Sequence, residues 1–241
     1  MIDILITGAN QGIGYATVQQ LISDSSEEVR VYVGARSLAK ATEAIEKINI
    51  PSGRSAQTEL IPIEIDITKN ETIEKAATQI PFLDILVNNA GIYVPDDFSN
   101  LDKLVEGMQN QFNTNLIGPI AVTTSFLPIL EKSKNRPAII NVSTGLSSFV
   151  NMTNSASPQY GNTEMMYPAS KTALNAYTVW LSKQRPDWRI VSFAPGHTAT
   201  ALNGFNGRQT VETAAKYLFD VIHDAKGPSG VLIQRAEVIG W

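Results

Sequence analysis

"TGANQGIG", residues 7–14, follows directly on the apolar run Ile2-Asp3-Ile4-Leu5-Ile6. Gly8, Gly12 and Gly14 therefore stand where a strand gives way to a helix, a poor place for glycine unless the turn itself needs it. A helix N-terminus presents unpaired N–H groups and a partial positive charge, so it attracts phosphate. Gly8 would permit a tight turn, Gly12 a close approach of backbone to phosphate, and Gly14 close packing of the helix near the sheet. Asn10, Gln11 and Ile13 complete the backbone of that turn. The spacing Gly-x3-Gly-x-Gly is not the commonest dinucleotide fingerprint, and an ordinary strand-to-helix loop also accounts for a lone glycine trio.

The rest of the chain supplies the context. Short β-branched runs at 2–6, 29–34, 60–65, 83–87, 138–142, 189–193 and 230–233 read as strands. Amphipathic patterns at 13–22, 38–48, 72–79, 101–130, 167–183 and 211–222 read as helices. Alternation of this kind predicts an α/β fold, a doubly wound parallel seven-stranded sheet with helices on both faces. No repeat, linker or composition break divides the chain, so residues 1–241 are expected to form a single dinucleotide-binding domain. The irregular stretch 147–164, rich in Ser, Asn, Thr and Pro, reads as a long substrate loop.

Composition narrows the function. With 43% hydrophobic and 17% charged residues and a net charge of −4, the chain is a globular protein with no electrostatic call for nucleic acid or an anionic membrane. No stretch approaches the roughly 20 apolar residues of a spanning helix, and residue 2 already begins a strand, so a cytoplasmic protein is expected. Zero cysteines exclude disulfides and thiolate metal sites, and two distant histidines, His197 and His223, argue against zinc.

The second strand runs into Gly34-Ala35-Arg36-Ser37. An NAD-binding sheet usually places a carboxylate here, about 20 residues past the glycine turn, to hold the adenine-ribose hydroxyls. This chain has none. Arg36 offers a cationic fork and Ser37 a hydroxyl at a helix start, both suited to the 2′-phosphate of NADP. As a bare pair they would be a surface arginine and a helix cap.

Further motifs then fall in order. "DIT" (Asp66, Ile67, Thr68) follows the third strand, "NNAG" (88–91) the fourth, and "NTNLIG" holds Asn115. "NVST" (141–144) ends the fifth strand, "YPASK" holds Tyr167 and Lys171, and "PGHTAT" (195–200) follows the sixth. This ordered set resembles the short-chain dehydrogenase/reductase family over essentially the whole chain, and the closing "SGVLIQRAEVIGW" looks like its carbonyl-reductase-like branch. The resemblance implies a Rossmann-like fold and a dinucleotide cofactor. It implies that Asp66 and Ile67 flank the adenine, and that Asn88, Ala90 and Gly91 lie along the cofactor. Pro195, Gly196, Thr198 and Thr200 should meet its nicotinamide end. Lys171 should also hold the nicotinamide ribose, with Asn115 supporting Lys171 through a water.

The chemistry has its own physical reading. Tyr167 and Lys171 are four residues apart and share a helix face. A tyrosine with a pKa of about 10 is a poor acid–base group at neutral pH, and a neighbouring ammonium is expected to lower that value. Such a tyrosine can protonate a carbonyl oxygen as hydride arrives on the carbon. Tyr160 is an internal contrast, since its partner four residues on is Glu164.

Two features depart from the family pattern. Thr144 stands where the family usually has the second serine of "NVSS", the hydroxyl that orients the carbonyl. Threonine has the same donor and acceptor plus a stiffening methyl, so Thr144 is the expected orienting group, Ser143 the fallback, and bulky ketones less welcome. Also, 22 residues separate Thr144 from Tyr167, more than is usual in the family. The surplus is expected to wall the substrate, with Phe149, Met152 and Tyr160 as contacts, or to obstruct helix pairing between subunits. Monomer and homo-oligomer both stay open. The expected function is NADPH-dependent reduction of an aldehyde or ketone carbonyl to an alcohol. The alternatives are an NADP-linked alcohol dehydrogenase, the same site run backward, and a dinucleotide sensor without turnover.

Overall fold

Side chains along each central strand alternate between two apolar clusters. Ile4 and Ile6 of β1 (Ile2–Ile6) join one cluster and Leu5 the other; in β5 (Ala138–Val142), Ile140 joins the first and Ile139 the second. That two-residue period requires cover on both faces of the sheet. The computed structural model, which describes residues 1–51 and 58–241, supplies it. The first cluster is closed by α1 (Gly12–Asp24), α2 (Leu38–Glu46) and α8 (Val211–His223). The second is closed by α3 (Asn70–Gln79), α5 (Gly118–Leu130) and α7 (Met166–Gln184).

The remaining strands are β2 (Val29–Ala35), β3 (Thr58–Glu64), β4 (Ile85–Asn88), β6 (Arg189–Ala194), β7 (Leu232–Gln234) and β8 (Glu237–Ile239). They lie in the order β3-β2-β1-β4-β5-β6-β7-β8. β3 through β7 are parallel, so the doubly wound parallel fold is present. The expected count of seven strands is corrected to eight among the described residues: β8 pairs antiparallel with β7. Arg235 and Ala236 make the turn between them at φ 51° and 65°. Hairpin turns of this kind usually carry Asn or Gly, so "RA" gave no sign of a second strand.

A second correction concerns the helix expected over 101–130. It is two α-helices, α4 (Leu101–Phe112) and α5, joined by a π-helical turn at Asn113–Ile117. Pro119, in the first turn of α5, has no N–H for the carbonyl of residue 115, as an unbroken α-helix would require. The 147–164 stretch is also less irregular than expected, since it contains the short helix α6 (Phe149–Thr153).

Order reverses between β1 and β4, so the carboxyl ends of these strands open a crevice there. Beneath it runs a buried polar seam. Asn88 Nδ2 donates to Asn141 Oδ1 at 2.8 Å and to Thr123 Oγ1 at 3.1 Å. Asn141 Nδ2 and Ser192 Oγ each donate to Thr178 Oγ1 at 2.9 Å. Removing one member strands its partners away from water, and Asn88 Oδ1 is already without a partner among the described residues. Asn141→Ala is therefore expected to lower stability by about 2 kcal/mol in urea unfolding, while Thr124→Ala on the exposed face of α5 changes it by less than ~0.5 kcal/mol.

Candidate active site

The glycine turn sits at the carboxyl end of β1, and α1 begins at Gly12. Gly8 (φ +64°) and Gly12 (φ +58°) both occupy the left-handed region that favours glycine. A Cβ on Gly8 would lie 3.0 Å from Ala90 Cα, whereas one on Gly12 would meet nothing in the chain nearer than Thr200 Cγ2 at 3.8 Å. Gly12 is thus required by its left-handed backbone and not by a steric clash, since an added Cβ would sit in ordinary contact with Thr200. Gly14 lets α1 start close against the sheet: an added Cβ would lie 2.5 Å from Asn89 Nδ2, just past β4, and 2.8 Å from the Gly8 carbonyl, just past β1.

Two residues the sequence reading passes over hold this junction. Thr7 Oγ1 accepts from the Asn89 and Ala90 N–H groups at 3.0 and 3.1 Å, and Asn89 Nδ2 donates to the Thr7 carbonyl at 2.8 Å. Both lie inside the quoted motifs, but nothing in their spacing announces a cross-tie. Asn88, expected along the cofactor, turns its side chain into the buried seam instead, because β4 alternation points it there. Asn10 and the exposed Gln11 line a cavity of about 320 Å³ with Lys40 and Lys47. Arg36 is exposed and, among the described residues, unpartnered. Ser37 caps α2 by accepting from the Lys40 N–H. Lys40, one helical turn past Arg36, is a cation the sequence reading did not weigh.

On the next strands, Asp66 Oδ1 accepts from Thr68, while Ile67 is buried against Gly118. Pro195 is buried, Gly196 has φ +89°, and Gln209 Nε2 ties the turn by donating to Thr198 Oγ1 at 3.0 Å and to the Pro195 carbonyl. Thr200 starts a short 3-10 turn (Ala201–Asn203): its N–H donates to Asn203 Oδ1 at 3.1 Å and its carbonyl accepts from the Asn203 N–H at 3.2 Å.

Tyr167 lies in the first turn of α7, whose N-terminus is capped by the Asp96 carboxylate accepting from the Met165 and Met166 N–H groups. The Tyr93 ring meets the Tyr167 ring edge-on at 5.8 Å. The Tyr167 hydroxyl has no hydrogen-bond partner among the described residues. Lys171, only 3% exposed, donates from Nζ to the Val142 carbonyl at 2.8 Å. A Cβ on Gly91 would lie 3.2 Å from Asn115 Oδ1 and 3.5 Å from Lys171 Nζ, so these three residues converge. Asn115, buried in the π-helical turn, accepts from the Ile92 N–H at 2.9 Å and donates to the Ile92 carbonyl and to Ser170 Oγ.

The two hydroxyls after β5 differ. Ser143 is buried, donating to Asn175 Oδ1 at 2.8 Å and sharing a 3.1 Å bond with Ser147. Thr144 is half-buried, its oxygen accepts from the Leu146 N–H, and its own proton has no acceptor among the described residues.

Charge behaves differently from the sequence expectation. Burial pushes the Tyr167 phenol up to about 12 and pulls the Lys171 ammonium down to about 8. The expected lowering of the tyrosine by the ammonium is overturned: Lys171 Nζ bonds to Val142 rather than to the phenol, and desolvation governs both groups.

A profile of the family described as short chain dehydrogenase matches residues 3–210. A short-chain dehydrogenase of Penicillium roqueforti is 35% identical over 223 residues, spanning 88% of this chain and 85% of its own. A (+)-neomenthol dehydrogenase of Arabidopsis thaliana is 27% identical over 289 residues, spanning 97% of this chain and 96% of its own. The NADPH-bound carbonyl reductase from chicken fatty liver superposes with a TM-score of 0.79 at 26% identity, over 99% of this chain and 98% of that one.

The buried lysine has a thermodynamic signature. Its folded pKa of about 8 lies below the ordinary 10.5, so between those values the unfolded chain holds more protons and stability rises with pH. Tyr167, raised from 10 to about 12, acts oppositely, and only above pH 10. Urea unfolding from pH 7.5 to 10 should show a Lys171 contribution rising by about 2 kcal/mol, absent from Lys171→Met.

Proposed function

Because the chain belongs to the short-chain dehydrogenase family of oxidoreductases, we propose that it is an NADPH-dependent carbonyl reductase, converting an aldehyde or ketone to its alcohol. The observation that carries this reading is the Tyr167 hydroxyl, without a hydrogen-bond partner among the described residues and one helical turn from the buried Lys171, whose Nζ bonds to Val142 of β5 two residues before Thr144. The likeness to an NADPH-bound carbonyl reductase supports it.

The glycine turn suits a dinucleotide phosphate, since Gly12 has a left-handed backbone at the first residue of α1 and puts no side chain between that helix start and a ligand. Arg36 and Ser37, with Lys40 and Asn10 close by, would hold a 2′-phosphate, a ligand that no carboxylate at 34–37 repels. Asp66, Ile67, Ala90 and Gly91 would line the adenine and ribose path. Pro195, Gly196, Thr198 and Thr200 would border the nicotinamide. Bound NADPH would supply the hydride for the carbonyl carbon.

The protein supplies the proton. Burial keeps Tyr167 protonated across the neutral range, so it is a donor and not a base before the reaction. Its O–H donates to the carbonyl oxygen as negative charge develops there, and Thr144 donates a second hydrogen bond to the same oxygen. Lys171 in its charged form offsets the phenolate that remains. Asn115 positions this group by holding the backbone of Ile92, next to Gly91, from both sides.

Tyr167→Phe is expected to reduce kcat for a ketone by about 10²–10⁴, with NADPH binding, read by its fluorescence, unchanged. Arg36→Ala should raise the Kd for NADPH about tenfold or more and leave NADH unaffected, which is the size of one charge-assisted contact of ~1.5–3 kcal/mol. Wild-type binding without turnover on any carbonyl would sink the reductase reading in favour of a sensor.

A further inference from the structure

The Tyr167 hydroxyl has no hydrogen-bond partner among the described residues, so packing sets the direction in which its ring points. The ring packed on it is Tyr93, edge-on at 5.8 Å with the two planes at 85°. The end torsion of a tyrosine is broad when left to itself. An edge-to-face pair prefers one mutual angle, so a ring that is itself held also holds its neighbour.

Tyr93 is held by its backbone and by its hydroxyl. It lies in residues 91–97, a stretch with neither helix nor strand. That stretch is tied at alternate residues instead. Asn115 bonds to both the N–H and the carbonyl of Ile92, at 2.9 Å each. Gln111 Nε2 donates to the Val94 carbonyl at 3.2 Å. The Asp96 carboxylate accepts from the Met165 and Met166 N–H groups at the start of α7. Tyr93 sits between the first two ties, and its hydroxyl donates to Glu164 Oε1 at 2.8 Å. Glu164 is three residues before Tyr167, so both members of the aromatic pair are anchored at the start of the same helix.

Stability alone does not account for this tether. Glu164 Oε2 is buried with no partner among the described residues, and a carboxylate oxygen without a donor there costs free energy. A phenylalanine at 93 beside an apolar residue at 164 would keep the ring contact and strand no polar atom. What the polar pair adds is direction, because a hydrogen bond at the far end of the ring fixes its tilt. Burial, and then the bond to Glu164, push the Tyr93 phenol up to about 12, so it remains a donor across the neutral range.

We propose that Tyr93, tethered by Glu164, is the positioning residue of Tyr167, holding the phenol of the candidate acid at the angle from which its proton reaches the carbonyl oxygen. This rests on the reductase reading. Proton transfer requires the donor within hydrogen-bond reach of the oxygen, and a displacement of about 1 Å costs about 10² in rate.

The test measures kcat and KM for cyclohexanone and benzaldehyde with NADPH, with thermal unfolding alongside. Tyr93→Leu is expected to lower kcat by about 10² and to leave KM unchanged, as for a group that acts only in the transition state. Made in Tyr167→Phe, the same substitution should cost nothing further, since no proton remains to be aimed. The double variant Tyr93→Phe, Glu164→Leu keeps the ring and removes the tether without orphaning a polar atom. It should lose about tenfold in kcat with no fall in melting temperature. Glu164→Gln, which keeps an acceptor for the Tyr93 hydroxyl, should recover most of that loss. A Tyr93→Leu variant that raises KM and spares kcat would make Tyr93 a substrate contact and overturn the proposal. So would equal losses with and without the Tyr167 hydroxyl, the result of a merely structural role. If neither carbonyl turns over, fluorine NMR of the protein labelled with 3-fluorotyrosine separates the two readings, the Tyr167 line being identified by its loss in Tyr167→Phe. A Tyr167 line that broadens or splits in the double variant and is restored in Glu164→Gln would keep the positioning role while the reductase reading fails. A line unmoved in the double variant would overturn the positioning role as well.

Discussion

The Thr7 hydroxyl is the tie on which the site depends. It stands where β1 and β4 separate and accepts N–H groups from Asn89 and Ala90, while Asn89 returns its amide to the Thr7 and Gly8 carbonyls. The turn after β1 and the turn after β4 are thereby one unit. Gly8 and Gly14 are small because this unit is dense: an added Cβ at either would meet Ala90 or Asn89 at 3.0 Å or less. Gly12 has a different reason, since an added Cβ would meet only Thr200 at ordinary contact distance while its backbone stands at φ +58°. The same residue type thus serves close packing at Gly14, backbone conformation at Gly12 and both at Gly8.

Helix α7 is registered on the sheet by a polar stripe rather than by apolar contact alone. Lys171, Asn175 and Thr178 recur at helical spacing and bond respectively to the Val142 carbonyl, to Ser143 and Ser147, and to Asn141 and Ser192. Buried polar groups that are all paired specify one register, because a slip strands several at once. Lys171 is the end of that stripe nearest Tyr167. Its position is therefore set structurally, and its lowered pKa is the consequence of being held where water is excluded.

The long segment between Thr144 and Tyr167 is braced at both ends, through Ser148 and Val150 to the C-terminal residues and through Glu164 to Tyr93. Tyr93 also lies edge-on to Tyr167, so the segment's far end reaches the candidate acid through one aromatic contact.

The sequence by itself determined the sheet, its parallel sense and the places where chemistry collects. Apolar alternation, β-branched runs and glycines at strand ends are local signals, and they report local preference faithfully. Asn115, Thr144, Tyr167 and Lys171 were legible as candidates from motif order. What only the tertiary structure decided were partners and solvent. Asn88 looked like a cofactor contact but faces a buried seam, because strand alternation sends its side chain below the crevice. Ser143 and Thr144 are equivalent by composition, yet one is committed to Asn175 and the other is not. The Tyr167–Lys171 spacing suggested an ammonium lowering a phenol, but burial raises the tyrosine and lowers the lysine. Desolvation depends on atoms brought from distant strands and helices, so no reading of neighbours four residues apart could have supplied it.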